Sequence, residues 1–258
     1  MLNRLGRRRF PILGACTLGL LLLAPTGPAF TQQELIVDGG FEQMSSGRKL
    51  RVDNEGQDWY ESRKDKAGRK LLKFSTKKIY GNATHKAMIK ADPELNTYLS
   101  QRLAAPQTGR LRIQYDIAVK MIRPEYDRSA FFFAGTSNDR KRGPNSTGKE
   151  RFAMLGFENA GAEGKINLFA REGQNSWDDR TVLVTGLDTR TWYTITVDID
   201  VAGGSYTVQV DDGPAHGPLQ AFQTKRDPVP EAITHVSFAS WNDGAGTFYV
   251  DNVSATAR

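Results

Sequence analysis

The chain has 258 residues, with 35 lysines and arginines against 29 acids (a formal net charge of +6), three histidines and one cysteine. A hydrophobic fraction of 39%, with 10% aromatic residues, suffices for one sizeable core and argues against a disordered or fibrous chain. The lone cysteine excludes an internal disulfide framework, and three histidines without an H-E-x-x-H run or zinc-ligand spacing exclude the common zinc motifs.

At the start of the chain, Arg4, Arg7, Arg8 and Arg9 precede an apolar run over 11–24, followed by small and turn residues through Ala29. A basic region, a short apolar stretch and a small-residue cleavage zone read as a signal peptide, residues 1–29, cut after Ala29. The run is too short to span a membrane. Arg7-Arg8-Arg9-Phe10 resembles a twin-arginine export signal, with the general secretory route as the alternative. Cys16 precedes the most apolar stretch, 18–23, which disfavours a lipid anchor there. Losing four arginines and no acid leaves 31 basic against 29 acidic residues, a net charge of +2. The basicity therefore belongs largely to targeting. The expectation is a periplasmic or extracellular protein with no nucleic-acid partner and no membrane insertion after cleavage; its oligomeric state is open.

The exported part, 30–258, shows no repeat and no linker, so one domain is expected. Its opening stretch is Leu35-Ile36-Val37-Asp38-Gly39-Gly40-Phe41-Glu42. Residues 45–80 are densely basic and read as loop. Residues 97–101 read as strand rather than helix. Leu111, Ile113, Tyr115, Ile117, Val119 and Met121 alternate with Arg112, Gln114, Asp116, Ala118 and Lys120, the period-two signature of a strand buried on one face. Residues 131–134, 152–158 and 165–171 are further strands, with a long polar loop over 137–150. Tyr193, Ile195, Val197 and Ile199 alternate again, Ala202-Gly203-Gly204 turns the chain, and Tyr206, Val208 and Val210 return it as a hairpin. Residues 233–240 and 247–253 suggest a last strand pair, joined by Asn242-Asp243-Gly244-Ala245-Gly246. Many short strands with regular turns predict an all-β antiparallel sandwich.

Three stretches carry a resemblance. The opening D-G-G-F-E of 38–42 and the closing Phe248-Tyr249-Val250-Asp251-Asn252-Val253 are similar to the first and last strands of jelly-roll carbohydrate-binding modules. The paired strands from Thr191-Trp192-Tyr193 to Tyr206-Thr207-Val208 resemble laminin-G and concanavalin A-like domains. The resemblance implies a jelly-roll sandwich that handles carbohydrate. It also implies a structural calcium ion shared by Glu42 and Asp251, which would tie the first and last strands together.

For catalysis the sequence offers little. No G-x-S-x-G elbow is present, and no run of alternating acids marks a sandwich glycoside hydrolase. A polysaccharide lyase needs a group that neutralises a uronate carboxylate and a base; Arg151, Arg171, Tyr115 and His235 are the strand-borne residues of suitable chemistry. Sugar binding needs aromatic rings on which pyranose faces stack. Trp177, Trp241 and Tyr126 are the best placed, whereas Trp59 and Trp192 read as packing residues. The expected function is an exported, non-catalytic jelly-roll protein that binds a polysaccharide. A lyase or other glycan-active enzyme on a concanavalin A-like sandwich is the alternative, and a structural or adhesive surface module the second.

Overall fold

In a computed structural model, the residues described are 33–43, 59–61, 72–91, 97–123, 128–137, 143–144, 150–172, 179–223, 229–240 and 246–258. They fall within one compact unit, Gln32–Arg258. The expected signal peptide lies outside them, and among them no helix is long and apolar enough to cross a membrane.

The described residues form fourteen strands and no helix: β1 (Tyr60–Glu61), β2 (Leu72–Ser75), β3 (Lys86–Lys90), β4 (Thr97–Gln107), β5 (Arg110–Ile122), β6 (Arg128–Gly135), β7 (Arg151–Asn159), β8 (Lys165–Ala170), β9 (Thr181–Asp188), β10 (Trp192–Asp200), β11 (Ser205–Val210), β12 (Ala215–Gln220), β13 (Ile233–Ser240) and β14 (Gly246–Ala257). Sheet I has the order β12-β11-β10-β5-β14-β3-β2, and sheet II the order β1-β4-β13-β6-β7-β8-β9. Every pairing is antiparallel. The protein is the expected all-β antiparallel jelly-roll sandwich.

Alternation sets the inward faces. On β5, Leu111, Ile113, Tyr115, Ile117 and Val119 are buried, whereas Met121 is 39% exposed. The inward series was expected to run through Met121. It stops because Met121 pairs with Thr247 and Val119 with Phe248, which leaves Lys120 as an extra residue. One inserted residue flips the parity, so Ile122 turns inward instead. The β10–β11 hairpin forms as expected, with the Asp200 carboxylate accepting the Gly203 N–H at 2.8 Å across the turn.

Between the sheets, the Tyr115 ring stacks on Phe132 at 4.7 Å and meets Phe238 at 5.1 Å. Trp59 is fully buried against Phe41 and donates its indole N–H to the Asp38 carbonyl, which makes it the core residue anticipated. Trp192 also serves packing: it donates to the Ile79 carbonyl and lies 6.5 Å from Tyr249.

Three expectations need correction. Residues 45–80, read as loop, contain strands β1 and β2. Strands β13 and β14 are not partners: β13 pairs with β4 and β6 in sheet II, and β14 with β3 and β5 in sheet I. Each is an interior strand whose two edges are occupied within its own sheet, so the short link at 241–245 joins the sheets rather than closing a hairpin. The opening segment is not a full strand either. Glu34 bridges Thr256, the Leu35 N–H donates to Ala255 of β14, and the Leu35 carbonyl accepts from Ala104 of β4. The Gln101 side-chain amide then takes the place of a neighbouring strand, bonding both the N–H and the C=O of Val37. Residues 34–37 thus stitch sheet I to sheet II.

Candidate functional site

Burial on an outward face is the signal that marks the site. A strand's outward residues ordinarily face water, yet sheet II carries a second buried apolar cluster on its outer face: Phe131, Phe133, Met154, Phe169 and Ala239, with Tyr98 packed at its margin. Gly156 forms the floor between two of these rings. A Cβ there would stand 2.7 Å from Phe169 and 2.8 Å from Phe131, so only glycine leaves room for both.

Around this apolar patch the same face gathers polar groups. One cross-sheet row runs Arg102 (β4), His235 (β13), Gly135 (β6) and Arg151 (β7). The next holds Tyr60, Ser100, Ser237, Phe133 and Met154, and Arg171 extends it by donating its N–H to the Met154 carbonyl. At the far end Arg128 pairs with Glu158, whose carboxylate accepts from Arg180 at 2.6 Å. His235 and Arg151 are separated by one strand, or two strand spacings, roughly 10 Å.

Three of the four lyase candidates, Arg151, Arg171 and His235, therefore share one face. Tyr115 does not join them. Its side chain points into the space between the sheets, and burial pushes its hydroxyl well above the ordinary tyrosine range. A base must give up its proton near the working pH and within reach of substrate, and Tyr115 satisfies neither condition.

The electrostatics of the two buried arginines are set first by burial and then by neighbouring charge. Burial pushes the Arg151 guanidinium down to about 10, and the neighbouring Arg171 adds to the shift. Burial lowers Arg171 as well, Arg128 pushes in the same direction, and Asp179 opposes both. The aromatic ring of Phe222 lies under the two buried arginines, 4.1 Å from the Arg151 guanidinium and 5.6 Å from that of Arg171. Such contacts keep a desolvated guanidinium charged by giving it the negative face of a ring.

His235 is 1% exposed, and its Nδ1 lies 2.8 Å from the Thr234 hydroxyl. Gly143 lies directly over it and donates its N–H to Ser100 Oγ at 3.1 Å. A Cβ on Gly143 would come within 2.2 Å of Ser237 Oγ and 3.1 Å of the His235 Cβ, so a side chain at this position would have to lift off the sheet. Tyr60 and Tyr98, half-buried and 6.0 Å apart, form an aromatic pair at the β1–β4 edge.

The expected sugar-binding residues Trp177, Trp241 and Tyr126 lie outside the described residues. Each is adjacent in sequence to a strand of sheet II, since 173–178 follows β8, 241–245 follows β13 and 124–127 precedes β6.

The expected calcium ligands sit elsewhere, where the chain ends meet. Asp251 is fully buried; its Oδ2 accepts hydrogen bonds from Asn82 Nδ2 and Thr84 Oγ1, each at 2.7 Å, and its Oδ1 accepts from the Asn252 N–H. Burial raises its pKa, and these three bonds work against the rise. Glu42 is spent on His85, accepting the backbone N–H at 3.1 Å and lying 2.7 Å from Nδ1. Between them comes Lys86, also fully buried, whose ammonium donates to the Lys77 carbonyl at 3.0 Å and to the Thr84 carbonyl. Among the described residues no three His, Cys, Asp or Glu side chains gather as a metal-binding group. Calcium takes six to eight oxygens; here both Asp251 oxygens accept from protein donors and the Lys86 ammonium takes the Lys77 and Thr84 carbonyls, an arrangement that does not fit that ion.

A cleft of about 560 Å³ opens on sheet I, lined by Arg110, Asp198, Asp200, Thr207 and Arg258. Its charges satisfy one another: Arg112 and Arg258 reach Asp198 at 2.6 and 4.0 Å, and Arg110 reaches Asp200 at 4.0 Å.

No family model matches the chain, and no curated protein matches it in sequence. Solved structures match in shape. A carbohydrate esterase of the Shiga toxin-encoding bacteriophage phi24B aligns over 88% of this chain and 99% of its own, with 13% identity and a TM-score of 0.53. The chain has an antiparallel jelly-roll β-sandwich fold. More distant matches are a β-glucanase catalytic domain from Podospora anserina (14% identity, 87% of this chain and 96% of that one, TM-score 0.48) and a carbohydrate-binding module from Bacillus subtilis (12%, 77% and 95%, TM-score 0.43). At these identities the likeness concerns the fold.

Proposed function

We propose that this is an exported, non-catalytic carbohydrate-binding protein that holds a polysaccharide, with preference for an acidic one, across the outer face of sheet II. One observation carries the reading: three arginines, Arg128, Arg151 and Arg171, two of them buried, gather on a face that also holds a half-buried tyrosine pair. Charge inside a low-dielectric layer projects further than charge in water, so the buried pair sets a positive potential over the face. A uronate carboxylate answers it, and planar guanidinium is suited to paired bonds with carboxylate. Tyr60 and Tyr98, with Trp177, Trp241 and Tyr126 as the proposed further rings, supply stacking surface for pyranose faces. The fold is shared with a carbohydrate esterase, which agrees with the reading without carrying it.

The test is binding of the full exported chain to immobilised uronate-rich and neutral polysaccharides. Retention on the acidic glycans that fades with salt is expected. Retention on neither leaves a structural or adhesive module as the correct reading. The row that places His235 and Arg151 on one face favours polysaccharide lyase activity as a second reading. Growth of ultraviolet absorbance from unsaturated ends on incubation with uronate-rich polysaccharide decides for it, and a flat trace decides against it.

A further inference from the structure

The joint of the chain ends contains a buried cation supplied by the chain itself. Lys86 has no exposed surface, although a lysine normally carries its ammonium to water. Its Nζ instead donates to two backbone carbonyls, Lys77 and Thr84, that belong to the turn preceding β3. Two carboxylates act on it through space, Asp251 from the last strand and Glu42 from the chain start. Burial pushes the Lys86 pKa down, and both acids push it back up. The bonded partners of this ammonium are two carbonyl oxygens of the segment 77–84, and the same segment with the next residue grips Asp251 through Asn82 and Thr84 and Glu42 through His85.

We infer that the Lys86 ammonium is the resident cation of this joint, pinning the turn before β3 whose Asn82 and Thr84 hold Asp251 of the last strand and which is followed by His85, the holder of Glu42, so that the fold needs no metal there. The neighbouring bonds agree with this assignment. Asp251 keeps both oxygens supplied by protein donors, Asn82, Thr84 and the Asn252 N–H, and presents no open edge to an ion. Glu42 is anchored by His85, one residue before Lys86, which holds the chain start against the same segment. A lysine costs burial but arrives with the chain, so the joint assembles without regard to calcium concentration, an advantage where no disulfide is possible.

The experiment follows thermal unfolding of the full exported chain in chelator and in excess calcium, with native mass spectrometry for bound metal. Coincident melting curves and a metal-free mass are expected. A melting temperature lowered by chelator, or one calcium retained per chain, overturns the inference. Lys86→Met keeps the buried stem and removes the charge. It is expected to lower the melting temperature by on the order of 10 °C, as loss of one partner from a buried charged cluster does, with no recovery in calcium. Melting of Lys86→Met at the wild-type temperature also overturns it. If this variant fails to fold, the chelator and mass measurements on the wild-type chain decide alone.

Discussion

On the outer face of sheet I, charge meets opposite charge. Arg112 forks onto Asp198 with bonds of 2.7 and 2.6 Å, and the Asp116 carboxylate accepts from Thr194 and Asn252. On the outer face of sheet II, Arg151 and Arg171 repel each other over one phenylalanine ring, and Phe131, Phe133 and Phe169 lie buried where water would be expected. Both faces belong to strands of similar length in one sandwich. The difference teaches that sheet I presents polar groups that satisfy one another, whereas sheet II buries apolar side chains on its outward face as well as its inward one. Function is sought on the second because it gathers buried arginines beside aromatic rings.

The largest effect expected of that comparison is on stability. Phe131→Ala removes a fully buried ring from the outer cluster and should cost about 3–5 kcal/mol, measured by denaturant unfolding. A loss below about 1 kcal/mol would mean that the outer layer of sheet II is not packed like a core, and the contrast between the faces would fail. Gly156→Ala probes the same layer from its floor. Its new methyl meets Phe169 and Phe131 at distances no packed carbon tolerates, and overpacking of this kind costs about 1–3 kcal/mol.

The next prediction concerns binding. Arg171→Met keeps apolar bulk and removes charge, and it should weaken retention of an acidic polysaccharide about tenfold, close to 1.4 kcal/mol, with the salt dependence reduced. Isothermal titration at two ionic strengths measures both. Unchanged affinity would separate the arginine cluster from glycan recognition and leave it as a packing device.

Much of this was legible in the sequence, for physical reasons. Period-two alternation identified β5, β10 and β11 because each buries one face fully and wets the other. Strands β1 and β2 lie in the stretch read as loop, and β3, β9 and β12 went unread as well. Lys86-Ala87-Met88-Ile89-Lys90 looks like a solvated segment because the lysine that is buried there is not a residue type expected inside. Strand β9 is an edge with little burial, and β12 contains Gly217 and Pro218, which edges tolerate and central strands do not. The site was half legible. Arg151, Arg171 and His235 were chosen for their chemistry, but which face each occupies depends on bulges. The extra residue at Phe152, between Ala153 and Arg151 in the β6–β7 register, turns Arg151 outward, and alternation alone gives no sign of it. Arg128 and the Tyr60–Tyr98 pair become neighbours only through pairing between distant strands. Lys86 and Asp251 are 165 positions apart, and nothing in either local pattern announces the other.

The smallest effect is expected on sheet I. Arg112 and Asp198 are bonded in the favourable forked geometry, yet their side chains remain 34% and 36% exposed. Water already solvates much of both charges, and such pairs are worth roughly 0–1 kcal/mol. Arg112→Met should therefore shift stability by less than about 1 kcal/mol and leave polysaccharide binding untouched. The shift should shrink further in high salt, because the lost attraction is one that ions screen. Parallel denaturant melts and glycan titrations of Arg112→Met and Arg171→Met put the two faces side by side. If the sheet I variant loses binding as severely as the sheet II variant, the ligand is attracted by the net charge of the whole molecule, and a defined face on sheet II is no longer needed to explain it.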